Sequence, residues 1–251
     1  MQIAKDLKYS TYDACLLDIY SPEQETNDVF LYFHGGGLEN GDKRDIRFHG
    51  DLVEKGVILA TANYRMYPDA KFPDFLEDAA QAVAFLQKRY PNKRLFVGGS
   101  SAGGYISMML CFDDRYLLQA GVKPDSVAGY VHDAGQPTTH FNVLRERGLD
   151  TQRLIIDEAA PAYFVGLKEK CPPMLIFVAD NDMHCRLEQT QMLCKTLEHY
   201  KLGYELKLMH SRHCGYVNKQ EEDGRYLYAD LLYDFFKKRN VKKVRIAKTR
   251  V

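Results

Sequence analysis

Two adjacent serines lie between glycine pairs in GGSSAGG, residues 98–104. A nucleophilic serine on a sharp strand-to-helix turn needs residues without bulk two positions before and two after it. Ser101 has Gly99 and Gly103 there, whereas Ser100 has Gly98 and Ala102, so the spacing selects Ser101. A serine hydroxyl attacks a carbonyl effectively only when a base takes its proton and an acid orients that base. On a strand-turn-helix elbow the chain order of these groups is Ser, acid, His. Downstream, FVADNDMHCRLEQTQ offers Asp180 and Asp182. Asp182 is preferred, because its distance along the chain from Ala179 leaves room for the loop to turn toward a histidine; Asp180 stands as the alternative and reads otherwise as a helix cap. MHSRHCGYVN then supplies His210 and His213. His210 falls at the end of an apolar run, where a packed histidine is expected, while His213 lies in the loop beyond and is the expected general base.

Acyl transfer also needs donors for the negative charge that develops on the carbonyl oxygen. HGGG, residues 34–37, directly follows the apolar run VFLYFH. Glycine lets backbone amides turn toward a ligand at close range, so the N–H groups of Gly36 and Gly37, with that of Ala102, are the expected oxyanion hole. His34 shapes this loop and is not the base. A helix beginning near Ala102 would aim its positive end at the same place. A phosphate-binding loop is excluded, since no Lys follows the second glycine pair. A metal site made of Asp180, Asp182, His184 and Cys185 would mix ligand preferences and lacks a second spaced cluster, so no metal and no cofactor are expected. His132, His140, His184 and His199 read as surface or packing residues, and Cys214 as a packing thiol.

These groups need a scaffold that presents them together. Short apolar, β-branched runs recur at 29–34, 57–63, 94–99, 127–132, 174–179 and 204–209, mostly without alternation, as in strands covered on both faces. Between two of them Phe75, Leu76, Ala79, Ala82, Val83 and Leu86 form one stripe of a helix, and further helices fit 103–119, 186–201 and 223–238. Regular alternation predicts an α/β fold, a mostly parallel central sheet with helices on both faces and ligands bound at the strand ends. The opening KDLKYSTYDACLLDIYSP predicts an antiparallel hairpin at the sheet edge. No linker or repeat divides the chain, so residues 1–251 are expected to form a single domain, with 133–172 as a small cap or lid insertion.

The 34 basic and 34 acidic residues leave no net field to draw nucleic acid or anionic lipid, and 45% hydrophobic content is that of a globular chain. No run approaches the length of a membrane span and the start lacks the apolar core of a secretory signal, which predicts a cytoplasmic protein. The six scattered cysteines contain no CxxC pair and read as reduced thiols. The tail carries Arg239, Lys242, Lys243, Arg245, Lys248 and Arg250, read as a solvated end.

Taken in order, FLYFHGGGLENGDK, NYRMYPDAKFPDFLEDAAQAVAFL (63–86), GGSSAGG, ADNDMH and RHCGY resemble the motifs of the α/β-hydrolase superfamily. The similarity is to its esterase and lipase group, including hormone-sensitive-lipase-like and small acetyl-xylan or feruloyl esterase-like members. It implies an α/β-hydrolase fold and a serine carboxylesterase, with Ser101 as nucleophile, Asp182 as acid, His213 as base and the amides of Gly36, Gly37 and Ala102 around the oxyanion. The implied partner is a small-molecule ester, with no nucleic acid and no membrane, and a homo-oligomer remains open. Two departures bear on substrate. Ser100 stands where lipase-like members often carry Asp and small esterases His, and Leu38 stands where many relatives place an aromatic residue, which implies a differently shaped acyl side. With only about thirty residues before HGGG, too few for a helical N-terminal cap, an open site taking short or small acyl groups is expected. An arylformamidase- or peptidase-like amide hydrolase, and a non-catalytic binding protein on a hydrolase scaffold, are the alternatives.

Overall fold

The computed structural model describes residues 1–238 and the backbone of 249–250; the basic tail from 239 to 248 lies outside the described residues. The opening segment folds back as an antiparallel hairpin of β1 (Gln2–Lys8) and β2 (Leu16–Ser21) at the sheet edge. β2 pairs antiparallel with β4 (Val57–Ala62). From there every pairing is parallel, through β3 (Asp28–Phe33), β5 (Arg94–Ser100), β6 (Gly129–Asp133), β7 (Met174–Asn181), β8 (Tyr204–Arg212) and the two-residue β9 (Thr249–Arg250). The order across the sheet is β1-β2-β4-β3-β5-β6-β7-β8-β9.

The unbroken apolar runs divide by the two-residue period of a strand between two cores. Val29, Leu31 and Phe33 face one layer with Leu95, Val97, Ile176 and Val178, while Phe30 and Tyr32 face the other with Phe96, Leu175 and Phe177. The first layer is closed by α2 (Asp74–Arg89), α3 (Ala102–Phe112), α4 (Asp114–Gln119) and α7 (Arg186–His199). The second is closed by α1 (His49–Glu54) and α8 (Leu227–Lys237), with Phe236 against Phe30 and Phe96. Two short helices, α5 (Phe141–Glu146) and α6 (Pro161–Phe164), lie in the excursion between β6 and β7.

Two elements differ from the sequence expectation. The helix expected over 103–119 breaks at Asp113, whose backbone is extended (φ −106°, ψ 103°) and whose carboxylate accepts from the Arg115 amide, capping α4. The terminal helix begins at Leu227 rather than 223, because Glu221, Asp223 and Gly224 make a turn in which the Arg225 carbonyl accepts from the Glu221 amide. α1 has too few apolar positions to register as periodic in the sequence.

α3 is buried along its whole length and sits close to the end of β3. A Cβ on Gly103 would fall far inside van der Waals contact with the Phe33 carbonyl oxygen, a backbone atom that cannot swing aside. Gly103→Ala is therefore expected to cost about 3 kcal/mol or more in chemical denaturation. Gly50→Ala in α1, where an added Cβ meets nothing within 4 Å, is expected to be neutral or to gain up to about 1 kcal/mol.

Candidate active site

The sheet register brings the loop-bearing strand ends together. Phe33 lies opposite Gly99, Ser100 opposite Asp133, and Asn181 opposite Arg212, so the residues that follow β3, β5, β7 and β8 emerge at one edge. Ser101 follows β5 with φ 55° and ψ −111°, a left-handed conformation that a non-glycine residue rarely adopts. Its amide donates to the Asp133 carbonyl at 2.7 Å and its own carbonyl accepts from the Tyr105 amide at 2.9 Å, which fixes the turn from both sides.

In that position the Ser101 hydroxyl lies 2.9 Å from His213 Nε2, and His213 Nδ1 lies 2.5 Å from Asp182 Oδ1. The Asp182 side chain is fully buried. Burial alone would push its carboxyl up. The hydrogen bond and charge of His213, with the amides of Met183 and Ala179 donating to it, instead hold it below the usual carboxylate range. An ionised Asp182 accepts a hydrogen bond from Nδ1–H, which holds the proton on that nitrogen and leaves Nε2 free to accept from Ser101. Cys214 Sγ is 3.7 Å from Nε2, but burial pushes this thiol well up and keeps it protonated.

Asp180 and His210 make a separate pair, with Asp180 also accepting from the Ser211 amide at 3.1 Å. The sequence expectation of a packed His210 is corrected here. β8 continues to Arg212, the register shifts between Ala179 and Asn181, and the His210 side chain is 85% exposed. His132 and His140 are buried, and His184 and His199 exposed. Among the described residues no group of three or more metal-ligating side chains occurs. Nor is any helix among them long and apolar enough to cross a membrane.

The HGGG loop is held from beneath. The His34 ring stacks on Tyr64 at 4.5 Å, the Tyr64 hydroxyl donates to the His34 carbonyl at 3.0 Å, and His34 Nδ1 lies 2.6 Å from the Gly35 carbonyl. Burial lowers the His34 pKa and keeps the ring neutral. Arg65, next in the chain, grips Asp78 of α2 with Nε at 2.8 Å and a terminal nitrogen at 2.9 Å. Gly36, at φ 104°, starts a turn whose carbonyl accepts from Asn40 at 2.9 Å. Among the described residues the amides of Gly36, Gly37 and Ala102 donate to no acceptor. With Gly35, Ser101, His213 and Asn218 this loop lines a cavity of about 300 Å³. Leu38 does not shape it. That side chain is fully buried in the core and its carbonyl accepts from the Tyr67 amide.

Ser100 points the other way, into a buried chain of hydroxyls that the sequence reading missed. Tyr32 donates to Ser100 Oγ at 2.7 Å, and Ser100 and Tyr216 each donate to the wholly buried Asp133. Burial raises Asp133 to about 6 against the pull of these donors. The available signal was an aspartate closing the run VAGYVHD at a strand end, beside an unassigned serine.

Because the folded pKa of Asp133 lies above the unfolded one, its contribution to stability is full below pH ~4 and is lost as the pH rises through about 6. Asp133→Asn removes that dependence, so its stability relative to wild type should rise by about 2 kcal/mol between pH 4 and 7 in parallel urea titrations. Ser100→Ala leaves Tyr32 and Asp133 without their shared partner and should cost about 1–3 kcal/mol in the same assay.

A family model described as BD-FAE matches residues 17–126. The chain is 32% identical over 123 residues to versiconal hemiacetal acetate esterase of Aspergillus parasiticus, covering 47% of this chain and 38% of that one. It is 28% identical over 138 residues to kynurenine formamidase avaC of Aspergillus versicolor, covering 48% and 49%. The chain thus spans less than half the length of either relative. The crystal structure of esterase B from Lactobacillus rhamnosis superposes with a TM-score of 0.73 at 18% identity, covering 94% of this chain and 85% of that one, and shares its fold. The BD-FAE match runs from β2 past the Ser101 elbow, and the chain has the fold of esterase B over nearly its whole length, so it is similar to esterases of this fold in both sequence and architecture.

Proposed function

We propose that the protein is a serine carboxylesterase acting on esters of short or small acyl groups. The observation that carries the reading is the hydrogen-bonded chain Ser101–His213–Asp182 beside the amides of Gly36, Gly37 and Ala102. In the proposed reaction Ser101 Oγ attacks the ester carbonyl as His213 Nε2 takes the hydroxyl proton, and the tetrahedral oxyanion is met by the free amides. Asp182 stabilises the imidazolium. Collapse breaks the bond to the alcohol oxygen, which leaves with the proton from Nε2. Water, deprotonated by the same nitrogen, attacks the acyl-enzyme and releases the acid and Ser101. The cavity of about 300 Å³ at Ser101 supports a small acyl group, and residues 133–172 act as a partial cover.

The match to a formamidase supports one second reading, hydrolysis of an N-formyl amide by the same steps. Parallel assays with p-nitrophenyl acetate and an N-formyl aniline separate the two.

A fluorophosphonate probe with peptide mapping tests the nucleophile without a guess at substrate. Modification is expected at Ser101 alone, and Ser101→Ala should lower p-nitrophenyl acetate turnover by about four orders of magnitude or more. Asp182→Asn should lower it by about 10²–10⁴-fold and Asp180→Asn by less than about threefold. Labelling of Ser100, or equal losses from the two aspartate variants, would overturn these assignments. No labelling of folded protein would favour a binding protein on a hydrolase scaffold.

A further inference from the structure

Beyond Asp182 lies a second and larger cavity, of about 520 Å³, between the start of α7 and the excursion that carries α5. Its lining includes three side chains capable of positive charge, Arg153, His184 and Arg186, and no aspartate or glutamate. Arg186 is 4% exposed. One terminal nitrogen donates to the Ala134 carbonyl at 3.0 Å and the other to Gln136 Oε1 at 3.3 Å, while Nε has no partner. No carboxylate pairs with it among the described residues, and the nearby Asp182 is taken by His213. Burial lowers Arg186 to about 10, which leaves it protonated at neutral pH. The acceptors that Arg186 touches are all neutral, so its charge is offset only at a distance by Asp182, and its flat fork of donors, with Nε unpartnered, matches a carboxylate.

The surroundings hold the fork in place. Thr138 donates to Gln189 at 2.9 Å, and Gln136 Nε2 donates to Thr138 at 3.1 Å and to the Thr139 carbonyl at 2.9 Å. The Gln136 carbonyl oxygen is thereby turned toward Arg186. Phe141 lines the cavity and also abuts the HGGG loop, since a Cβ on Gly37 would lie 2.9 Å from Phe141 Cζ. Leu154 and Met183, both exposed, add apolar surface.

We infer that this cavity binds a carboxylate on the substrate, so that the preferred substrates are esters bearing an acidic group joined to the scissile bond through an apolar segment. The inference rests on the esterase reading. Arg186 and the more exposed Arg153 receive the carboxylate, the side-chain amide nitrogen of Gln189 flanks it, and Phe141, Leu154 and Met183 cover the apolar segment.

The test compares matched neutral and acidic esters on the full chain. On the acyl side the pair is p-nitrophenyl butyrate and mono-p-nitrophenyl glutarate; on the alcohol side it is phenyl acetate and 4-acetoxybenzoate. Wild type should favour the acidic member in kcat/KM by at least about tenfold in one pair, which also says on which side of the scissile bond the carboxylate lies. Arg186→Gln should remove that preference, and Arg153→Gln, at an exposed position that tolerates substitution, should lower the acidic-to-neutral ratio by about threefold or more. Added glutarate should competitively inhibit butyrate hydrolysis in wild type more strongly than in Arg153→Gln. Wild type that hydrolyses the neutral esters with no preference for either acidic one, or a preference that survives both substitutions, overturns the inference and leaves the esterase reading standing. Failure to hydrolyse any ester and to react with a fluorophosphonate overturns the esterase reading itself.

Discussion

The close approach of α3 to the end of β3 is the constraint on which the site depends. With no Cβ at Gly103, the first turn of the helix can meet the Phe33 carbonyl, and the chain between β5 and α3 is compressed into a turn that passes through Ser101 at φ 55°. Such a conformation persists only where its surroundings over-determine it. Here the Ser101 amide is tied to Asp133 and its carbonyl to Tyr105, and every residue of α3 is buried. Packing thus holds the hydroxyl outward, where His213 meets it, while Ser100 is forced inward. The same turn brings Ser101 against the HGGG loop, where a Cβ on Gly35 would lie 3.2 Å from Ser101 Cβ.

Three aspartates near this edge of the sheet show how environment sets their roles. Asp182 is buried but receives His213 and two amides, and it stays ionised. Asp180, near it in sequence, sits across the register shift between β7 and β8 and pairs with an exposed histidine outside the path to Ser101. Asp133 is buried beneath Ser101 with only hydroxyl partners for its side chain, and its carboxyl is pushed up to about 6. Asp182 is the carboxylate that faces His213, whereas Asp133 joins the core as an acceptor for Ser100 and Tyr216 and, through the Tyr32 bond to Ser100, ties β3, β5, β6 and the loop after β8 together.

Much of this was legible in the sequence, for identifiable reasons. The strands could be read because each is buried on both faces and its apolar run is unbroken; α2 because its stripe repeats over several turns. Ser101, Asp182 and His213 could be proposed from glycine spacing and chain order, and the structure brings them together in one hydrogen-bonded chain. Asp180 and His210 were harder to separate from them, since the register shift that directs each side chain arises from strand pairing and leaves no mark in local composition. Asp113 ends α3 through an extended backbone within a continuous apolar pattern, which periodicity alone reads straight through. Leu38 and the chain from Tyr32 through Ser100 to Asp133 depend on contacts between residues distant in sequence, and no spacing rule reaches those.

The same reasoning bears on the excursion between β6 and β7. Its α5 begins with Phe141 against Gly37, Asn142 donates to the Gly37 carbonyl at 3.0 Å, and Arg145 pairs with Glu39. On its other side the HGGG loop is held by the His34 and Tyr64 stack and by Leu38 in the core. A peptide plane fixed at its carbonyl is fixed at its N–H as well, because the two lie in one rigid unit. The bond from Asn142 to Gly37 therefore orients the peptide plane that follows Gly37, and packing of Phe141 restricts the glycine before it. An excursion that only covered the site would leave the loop's geometry to the sheet. This one grips the loop while lining the neighbouring cavity, so the wall of that cavity and the amides of the HGGG loop are parts of the same packed unit.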